Sequence, residues 1–352
     1  MRSARPSEER RMLPEVIVAG HLCADLLPSF PPDGKSPEPG QTVEVGPIGL
    51  WPGGAVGNVG GALQRLRIGT ELIGLVGDDS LGDLLKILLA RRTGRPLPGI
   101  RVAPGKTTSY TLVLTRPGHD RAFLHHPGVN NQFDPADIDP GLLHNGRIVH
   151  FGYPPLLRRV YRDGGRRLAE WFRSLHKQGI LTSLDLTFPD PDGESGQIDW
   201  RAFLERVLPH VDFFFPSYGE VEFMLRDLPG LRKTSQLEMP TDLEYLSELA
   251  RWVLDCGAHL FALKLGSQGI YLRTALVEAL PTNLHLKLDS RWGNREAWAP
   301  AFQVIPMGTT GAGDAAVAGF LAGLIRGFSP EKTINLATAV GACSVEAADP
   351  TS

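Results

Sequence analysis

Only three cysteines occur in 352 residues, and Cys23, Cys256 and Cys343 lie far apart with no metal-ligand spacing. An odd number so widely spaced argues against a disulfide framework and a zinc site, and is expected of free, buried thiols in a reducing compartment. Any run of the ~18 apolar residues needed to span a membrane is also missing. The opening "MRSARPSEERRMLPE" has no apolar core, so 1–14 reads as a disordered tail and not as a signal peptide. These features predict a cytoplasmic protein. Net charge is only −3, so no global field recruits nucleic acid or an anionic membrane. The densest basic cluster, "RRVYRDGGRR" at 158–167, reads as a solvated helix face.

What is present is alternation. "EVIVAG" (15–20), "TELIGLVG" (70–77), "RIVHFGY" (147–153), "ILTSLDL" (180–186), "VDFFFPS" (211–217) and "LFALKLG" (260–266) are short and mostly apolar. Between them run helical patterns such as "SLGDLLKILLARR", with Leu81, Leu84, Leu85, Leu88 and Leu89 on one face. Such strands predict a mostly parallel sheet covered on both faces, a three-layer α/β/α domain over 15–352. Two segments, about 28–50 and 105–128, do not fit. The first is rich in Pro and Gly, with one strand expected at "QTVEV" (41–45); the second alternates and turns at "PGHD" (117–120). Together they predict a small antiparallel β lid inserted into the α/β body.

The stretch "GTTGAGDAAVAGFLAGL" (308–324) has no lysine after its glycines, so it is not a P-loop. Nor is it a dinucleotide turn, which would follow the first strand. It forms a helix N-terminus where the uncrowded N–H groups of Gly311, Ala312 and Gly313 make an anion site. A phosphoryl transition state is the kind of charge that such a site stabilises. Asp314 reads either as simple charge complementarity to the helix or as a general base for an attacking hydroxyl.

This stretch resembles the C-terminal signature, D-T-x-G-A-G-D, of the ribokinase-like (PfkB-type) carbohydrate kinases. "GHLCADL" resembles the family's first strand and loop, where Asp25 would bind sugar hydroxyls. "GGAVGNVGGALQRL" resembles the N-terminal signature, which implies Gly53, Gly54 and Asn58 on the sugar side. "HPGVNN" resembles the segment that closes the lid hairpin. "KLGSQG" resembles the nucleotide loop and implies ATP contacts at Lys264, Gly266, Ser267 and Gly269, with Asn335 on the adenine side. Glu220 falls where the family has the acid of N-x-x-E, which organises Mg²⁺ through water. The resemblance thus implies ATP-dependent phosphorylation of a sugar hydroxyl, with Asp314 as base and a homodimer through the lid. A nucleoside kinase of the same fold and a non-catalytic sugar-binding relative stay open as alternatives.

The sequence departs from the pattern on the nucleotide side. Gly308 replaces the leading acid that often helps bind a monovalent cation, Ser217 replaces the Asn of N-x-x-E, and Thr187 replaces the amide of a D-x-N element beginning at Asp185. In relatives the chain usually continues beyond the segment matching "ADPTS", and that end often completes the nucleotide pocket.

Other residues have plainer readings. His125 and His126 point to opposite faces of a strand and cannot easily share an ion, so with His119 they read as lid surface, the alternative being that one of them faces the sugar pocket. Trp51 either stacks on a sugar or packs the lid base. "FFF" (213–215) reads as a core strand, and Asp78 and Asp79 as loop and helix-cap residues.

Overall fold

The computed structural model describes residues 14–30, 39–115, 122–226, 242–280, 286, 288–305, 308 and 310–346. The tail at 1–13, the "PGHD" turn with His119, and the chain end lie outside the described residues.

Thirteen strands are present among the described residues: β1 (Val16–Gly20), β2 (Cys23–Pro28), β3 (Ile48–Gly53), β4 (Thr70–Gly77), β5 (Ile100–Ala103), β6 (Tyr110–Leu114), β7 (Ala122–His126), β8 (Ile148–Gly152), β9 (Leu181–Asp185), β10 (Phe213–Phe214), β11 (Leu260–Lys264), β12 (Ile270–Thr274) and β13 (Glu296–Ala299). The helices are α1 (Gly54–Arg65), α2 (Ser80–Thr93), α3 (Arg158–Arg162), α4 (Arg166–Lys177), α5 (Trp200–Val207), α6 (Tyr218–Met224), α7 (Leu243–Asp255), α8 (Ala312–Ile325) and α9 (Pro330–Val345).

Nine strands form one sheet in the order β13-β12-β11-β10-β9-β8-β1-β4-β5. From β11 through β5 every pairing is parallel, and only β12 and β13 run antiparallel at the edge. Successive side chains of a strand face opposite sides, and β1 shows the result. Val16 and Val18 join the core under α1, α2, α8 and α9, while Ile17 and Ala19 join the core under α4, α5, α6 and α7. Each fully buried Leu or Phe in these layers contributes about 1.5–3 kcal/mol relative to exposure.

The remaining four strands make a second sheet, β3-β2-β6-β7. Its β2–β3 and β6–β7 pairs are antiparallel, and its central β2–β6 pair is parallel. The expected strand at 41–45 is not formed. The edge of β2 is taken instead by Ile48–Gly53, in a register that sets Pro28 opposite Ile48 and Cys23 opposite Gly53. "GHLCADL", read as a strand end and loop, carries a lid strand of its own, which places Asp25 on β2. Of the three free cysteines only Cys23 is buried; Cys256 is half-buried and Cys343 exposed, because the last two lie at helix surfaces and not within a sheet.

The "FFF" run is core: Phe213, Phe214 and Phe215 are all buried. Asp79 caps α2, accepting from the Gly82 N–H at 2.9 Å, and its other oxygen accepts from the Thr108 N–H at 2.8 Å, tying the helix to the lid strand's approach.

Beneath the sheet, the buried Asp212 is held by the Thr182 N–H at 2.7 Å and lies 2.9 Å from both His176 Nε2 and His259 Nδ1. Burial opposes its charge, but the hydrogen bonds from His176 and His259 pull it down to about 2. His176 is raised from its usual value, chiefly by the same hydrogen bond. The carboxylate's contribution is present above its ordinary value of 3.8 and lost as pH falls through about 2. The histidine's is complete below 6.5 and lost as pH rises through its folded value. Asp212→Asn should therefore cost about 1–3 kcal/mol in denaturant unfolding, with the largest difference from the parent between those two limits.

Candidate active site

The parallel strands all end on one side, where the loops after them meet a cleft of about 1490 Å³. In open α/β sheets this carboxyl edge is where ligands bind. Tyr153 follows β8, Asp185 ends β9, Ser217 and Glu220 follow β10, and Lys264 ends β11; all except Asp185 line the cleft. From the opposite wall the lid contributes Cys23, Asp25, Thr111 and His125.

Asp314 lies in the first turn of α8, behind the N-cap Gly311, whose φ of 78° is the left-handed conformation that glycine adopts without strain. From Asp314 to Leu324 every residue of this helix is buried. Small residues allow this, since Gly319 and Gly323 face Ala337 and Thr333 of α9 in close approach. The carboxylate is thus only 3% exposed. It is not left bare: the Tyr153 hydroxyl donates to it, 2.6 Å from one oxygen and 2.7 Å from the other, and Asn58 Nδ2 donates at 3.0 Å. Burial raises its pKa, and the Tyr153 hydrogen bond, Lys264 and Asn58 oppose that rise.

The lid end of the cleft holds a second buried carboxyl. Asp25 is 5% exposed, and burial, aided by Asp314, raises it to about 7. Gly53 explains how it fits: a Cβ there would occupy the space of the Asp25 carboxylate. Around it, Cys23 Sγ donates to Asp25 at 3.2 Å, and Thr111 Oγ1 lies 3.0 Å from His125 Nδ1. Both ring nitrogens of His21, Asn58 Oδ1 and His125 Nε2 are buried with no hydrogen-bond partner among the described residues. Burial keeps both imidazoles neutral, with His125 pushed down to about 4. A pocket with unpaired neutral donors and acceptors beside two carboxyl groups suits a molecule dense in hydroxyls.

At the other end, Gly266, Ser267 and Gly269 line the cleft together with Thr338, Gly341, Ala342 and Val345 of α9. Lys264 is not a free cation. Its Nζ lies 2.7 and 2.8 Å from the two oxygens of the fully buried Asp185. Burial would push the ammonium down, but Asp185, then Glu220 and Asp314, hold it above its usual range. The lysine passes beside the start of α8: a Cβ built on Gly313 would stand 3.6 Å from Nζ. The ammonium thus lies beside the helix N-terminus formed by Ala312 and Gly313, both of which line the cleft.

Glu220 lines the cleft and also belongs to a capping box, with one oxygen accepting from the Ser217 N–H at 2.7 Å. Among the described residues no cluster of three or more His, Cys, Asp or Glu could hold a metal alone. One cleft-lining carboxylate fits Mg²⁺, an ion that binds through one or two carboxylates, water and substrate phosphates.

The structure therefore brings together Asp314, Gly311, Ala312, Gly313, Asp25, Gly54, Asn58, Lys264, Gly266, Ser267, Gly269 and Glu220 along one cleft, with Gly53 packed behind Asp25. It does not bring Asn335 there; that side chain is exposed, one turn before Thr338. His125, expected on the lid surface, faces the cleft, while His126 turns to Thr107 on the exposed side. Trp51 sits opposite Asp25 on β3, outside the cleft lining. Sequence reasoning missed His21, Tyr153 and the Asp185–Lys264 pair as a unit. The available signal was position, because His21, Tyr153, Asp185 and Lys264 each stand at the carboxyl end of an apolar strand.

A model of the pfkB family carbohydrate kinases matches residues 15–352. The chain is 28% identical over 294 residues to an ATP-dependent ribose-1-phosphate kinase of Halopiger xanaduensis, covering 82% of this chain and 79% of that protein. It is 24% identical over 329 residues to an ATP-dependent 6-phosphofructokinase of Thermoanaerobacterium thermosaccharolyticum, covering 93% and 87%. Among solved structures, a candidate ribokinase II of E. coli in complex with ATP and Mg²⁺ superposes with a TM-score of 0.71 at 21% identity, covering 96% of this chain and 95% of that one.

Lys264→Met should leave Asp185 buried without its cation and destabilise the fold by about 3–5 kcal/mol in denaturant unfolding. Adding Asp185→Asn to the same chain should recover much of that loss, since no unpaired charge remains.

Proposed function

Because the chain belongs to the pfkB family of carbohydrate kinases, we propose that it transfers the γ-phosphoryl group of ATP directly to a hydroxyl of a sugar or sugar-like molecule. The observation that carries this reading is a buried carboxylate, Asp314, at a helix N-terminus that faces both a hydroxyl-suited pocket and a glycine-containing loop in one cleft. Asp25, Asn58 and Gly54 hold the acceptor, and Gly53 leaves the room that Asp25 needs to do so. Gly266, Ser267 and Gly269 border the nucleotide, with Lys264 beside them to attract its phosphates.

Asp314 takes the proton of the attacking hydroxyl as that oxygen bonds to the γ-phosphorus and the bond to the leaving ADP oxygen breaks. The N–H groups at the start of α8, with Lys264 alongside, stabilise the charge that spreads over the transferred group. Glu220 would hold Mg²⁺, in part through water, and the metal would neutralise phosphate charge. Gly308 stands where the family's leading acid often helps bind a monovalent cation, which argues against activation by such an ion. The lid, with segments about 28–50 and 105–128, excludes water that would otherwise compete for the phosphoryl group. Its exposed Ile48 and Leu124 support pairing with a second copy of the chain through the lid. Three free thiols support a cytoplasmic setting.

With Mg²⁺-ATP and a panel of sugars and nucleosides, ADP release should identify an acceptor, and Asp314→Asn should lower kcat by about 10²–10⁴. A variant as fast as the parent would show that Asp314 is not the base. Gly53→Ala should displace Asp25 and raise the acceptor KM at least about tenfold, leaving the KM for ATP within about twofold.

A further inference from the structure

Tyr153 has a conformation that its residue type does not favour. Its φ is 69° and ψ 51°, in the left-handed region where a bulky side chain costs about 1–3 kcal/mol. The surroundings enforce it: the Tyr153 N–H donates to the Asp185 carbonyl at 3.2 Å, and the buried Pro154 and Pro155 follow. This backbone carries the ring across the cleft end of β8 and stacks it on His21, with centroids 5.8 Å apart. The hydroxyl then reaches Asp314 across the sheet edge, within 2.7 Å of both carboxylate oxygens.

We propose that Tyr153 is a positioning residue for the base: its single proton, shared between both oxygens of Asp314, fixes the carboxylate's rotation and keeps it ionised. The proposal rests on the reading of Asp314 as the base. A carboxylate offers roughly four acceptor positions. With Tyr153 bridging the two oxygens and Asn58 on one of them, positions remain for an acceptor hydroxyl, in an orientation set before it arrives. Tyr153 is suited to donate and not to lose its proton, because burial and then Asp314 and Asp185 raise it well above the usual phenol range.

The charged and titratable groups around Asp314 are Lys264 from β11, Glu220 from α6, Asp185 from β9, and Asp25 and Cys23 from β2, besides Tyr153 itself. Of these only Lys264 is a cation, and Asp185 already pairs with it. The Tyr153 hydrogen bond is the largest influence opposing the burial of Asp314, followed by Lys264 and then the Asn58 hydrogen bond. Loss of the phenol must move the base toward its protonated form.

The test is Tyr153→Phe, which keeps the ring and its stack on His21. The carboxyl ¹³C titration of Asp314 should shift to higher pH by about one unit. The acidic limb of kcat/KM should shift with it, kcat on the plateau should fall about tenfold, and the KM for ATP should not change. A titration midpoint that does not move, with only a lower melting temperature, overturns the proposal. 3,5-Difluorotyrosine at position 153, a stronger donor of the same shape, should move the midpoint the opposite way; this covers a Phe variant that fails to fold. The ¹³C titration reads Tyr153 independently of turnover, whereas Asp314→Asn kinetics read the base assignment, so the two failures are distinguishable.

Discussion

One constraint organises this site: the Asp314 carboxylate, which the proposed mechanism needs as an anion, is only 3% exposed. Burial of that degree favours the neutral acid. The structure opposes it with three things that arrive from different parts of the chain: the phenol after β8, the amide of α1, and the ammonium at the end of β11. The helix N-terminus adds its own partial positive charge. Without these partners a carboxylate at the mouth of an almost wholly apolar helix would be protonated or would unfold the turn that carries it.

The same economy of charge runs through the rest of the cleft. Lys264 balances Asp185, and Glu220 is held by the cap of α6, so the two ionic groups that line this end of the cleft, Lys264 and Glu220, each have a structural partner as well. Asp25 is different. Among the described residues its hydrogen-bond donors are the Cys23 thiol and the Thr111 hydroxyl, neither of them a cation, and it is raised to about 7. Two carboxyl groups that share one pocket cannot both ionise freely, and the one lacking a cation yields. Lys264 favours the anion of Asp314, while Asp25, at about 7, can act as either hydrogen-bond donor or acceptor around neutral pH.

Much of this was legible in the chain. Apolar strands alternating with helices specified the sheet and its two covered faces, because a strand buried on both sides leaves no polar face to record. The glycine turn at 311–313 marked where α8 begins at the cleft, since close backbone approach requires missing side chains. The lid was read less well: 41–45 alternates like a strand, but strand pairing is a choice between partners, and β2 pairs with Ile48–Gly53 instead. His125 was read as surface for the same reason, because alternation assigns a residue to a face without saying which face the cleft occupies. Asn335 matched a pattern by position in a helix, and its rotation in the fold points it outward while Thr338 and Gly341 face the cleft.

The sequence by itself determined the element types, the three-layer architecture, and the turn in which a carboxylate follows uncrowded N–H groups. These are properties of neighbours along the chain, governed by periodicity and by the missing Cβ of glycine. Only the tertiary structure decided what surrounds that carboxylate. Tyr153 and Asn58 lie 161 and 256 residues from Asp314, and Lys264 and Asp185 are 79 residues apart. Burial, ionisation and hydrogen bonding depend on distances in space, so they exist only once the parallel strands have brought their carboxyl ends to one edge.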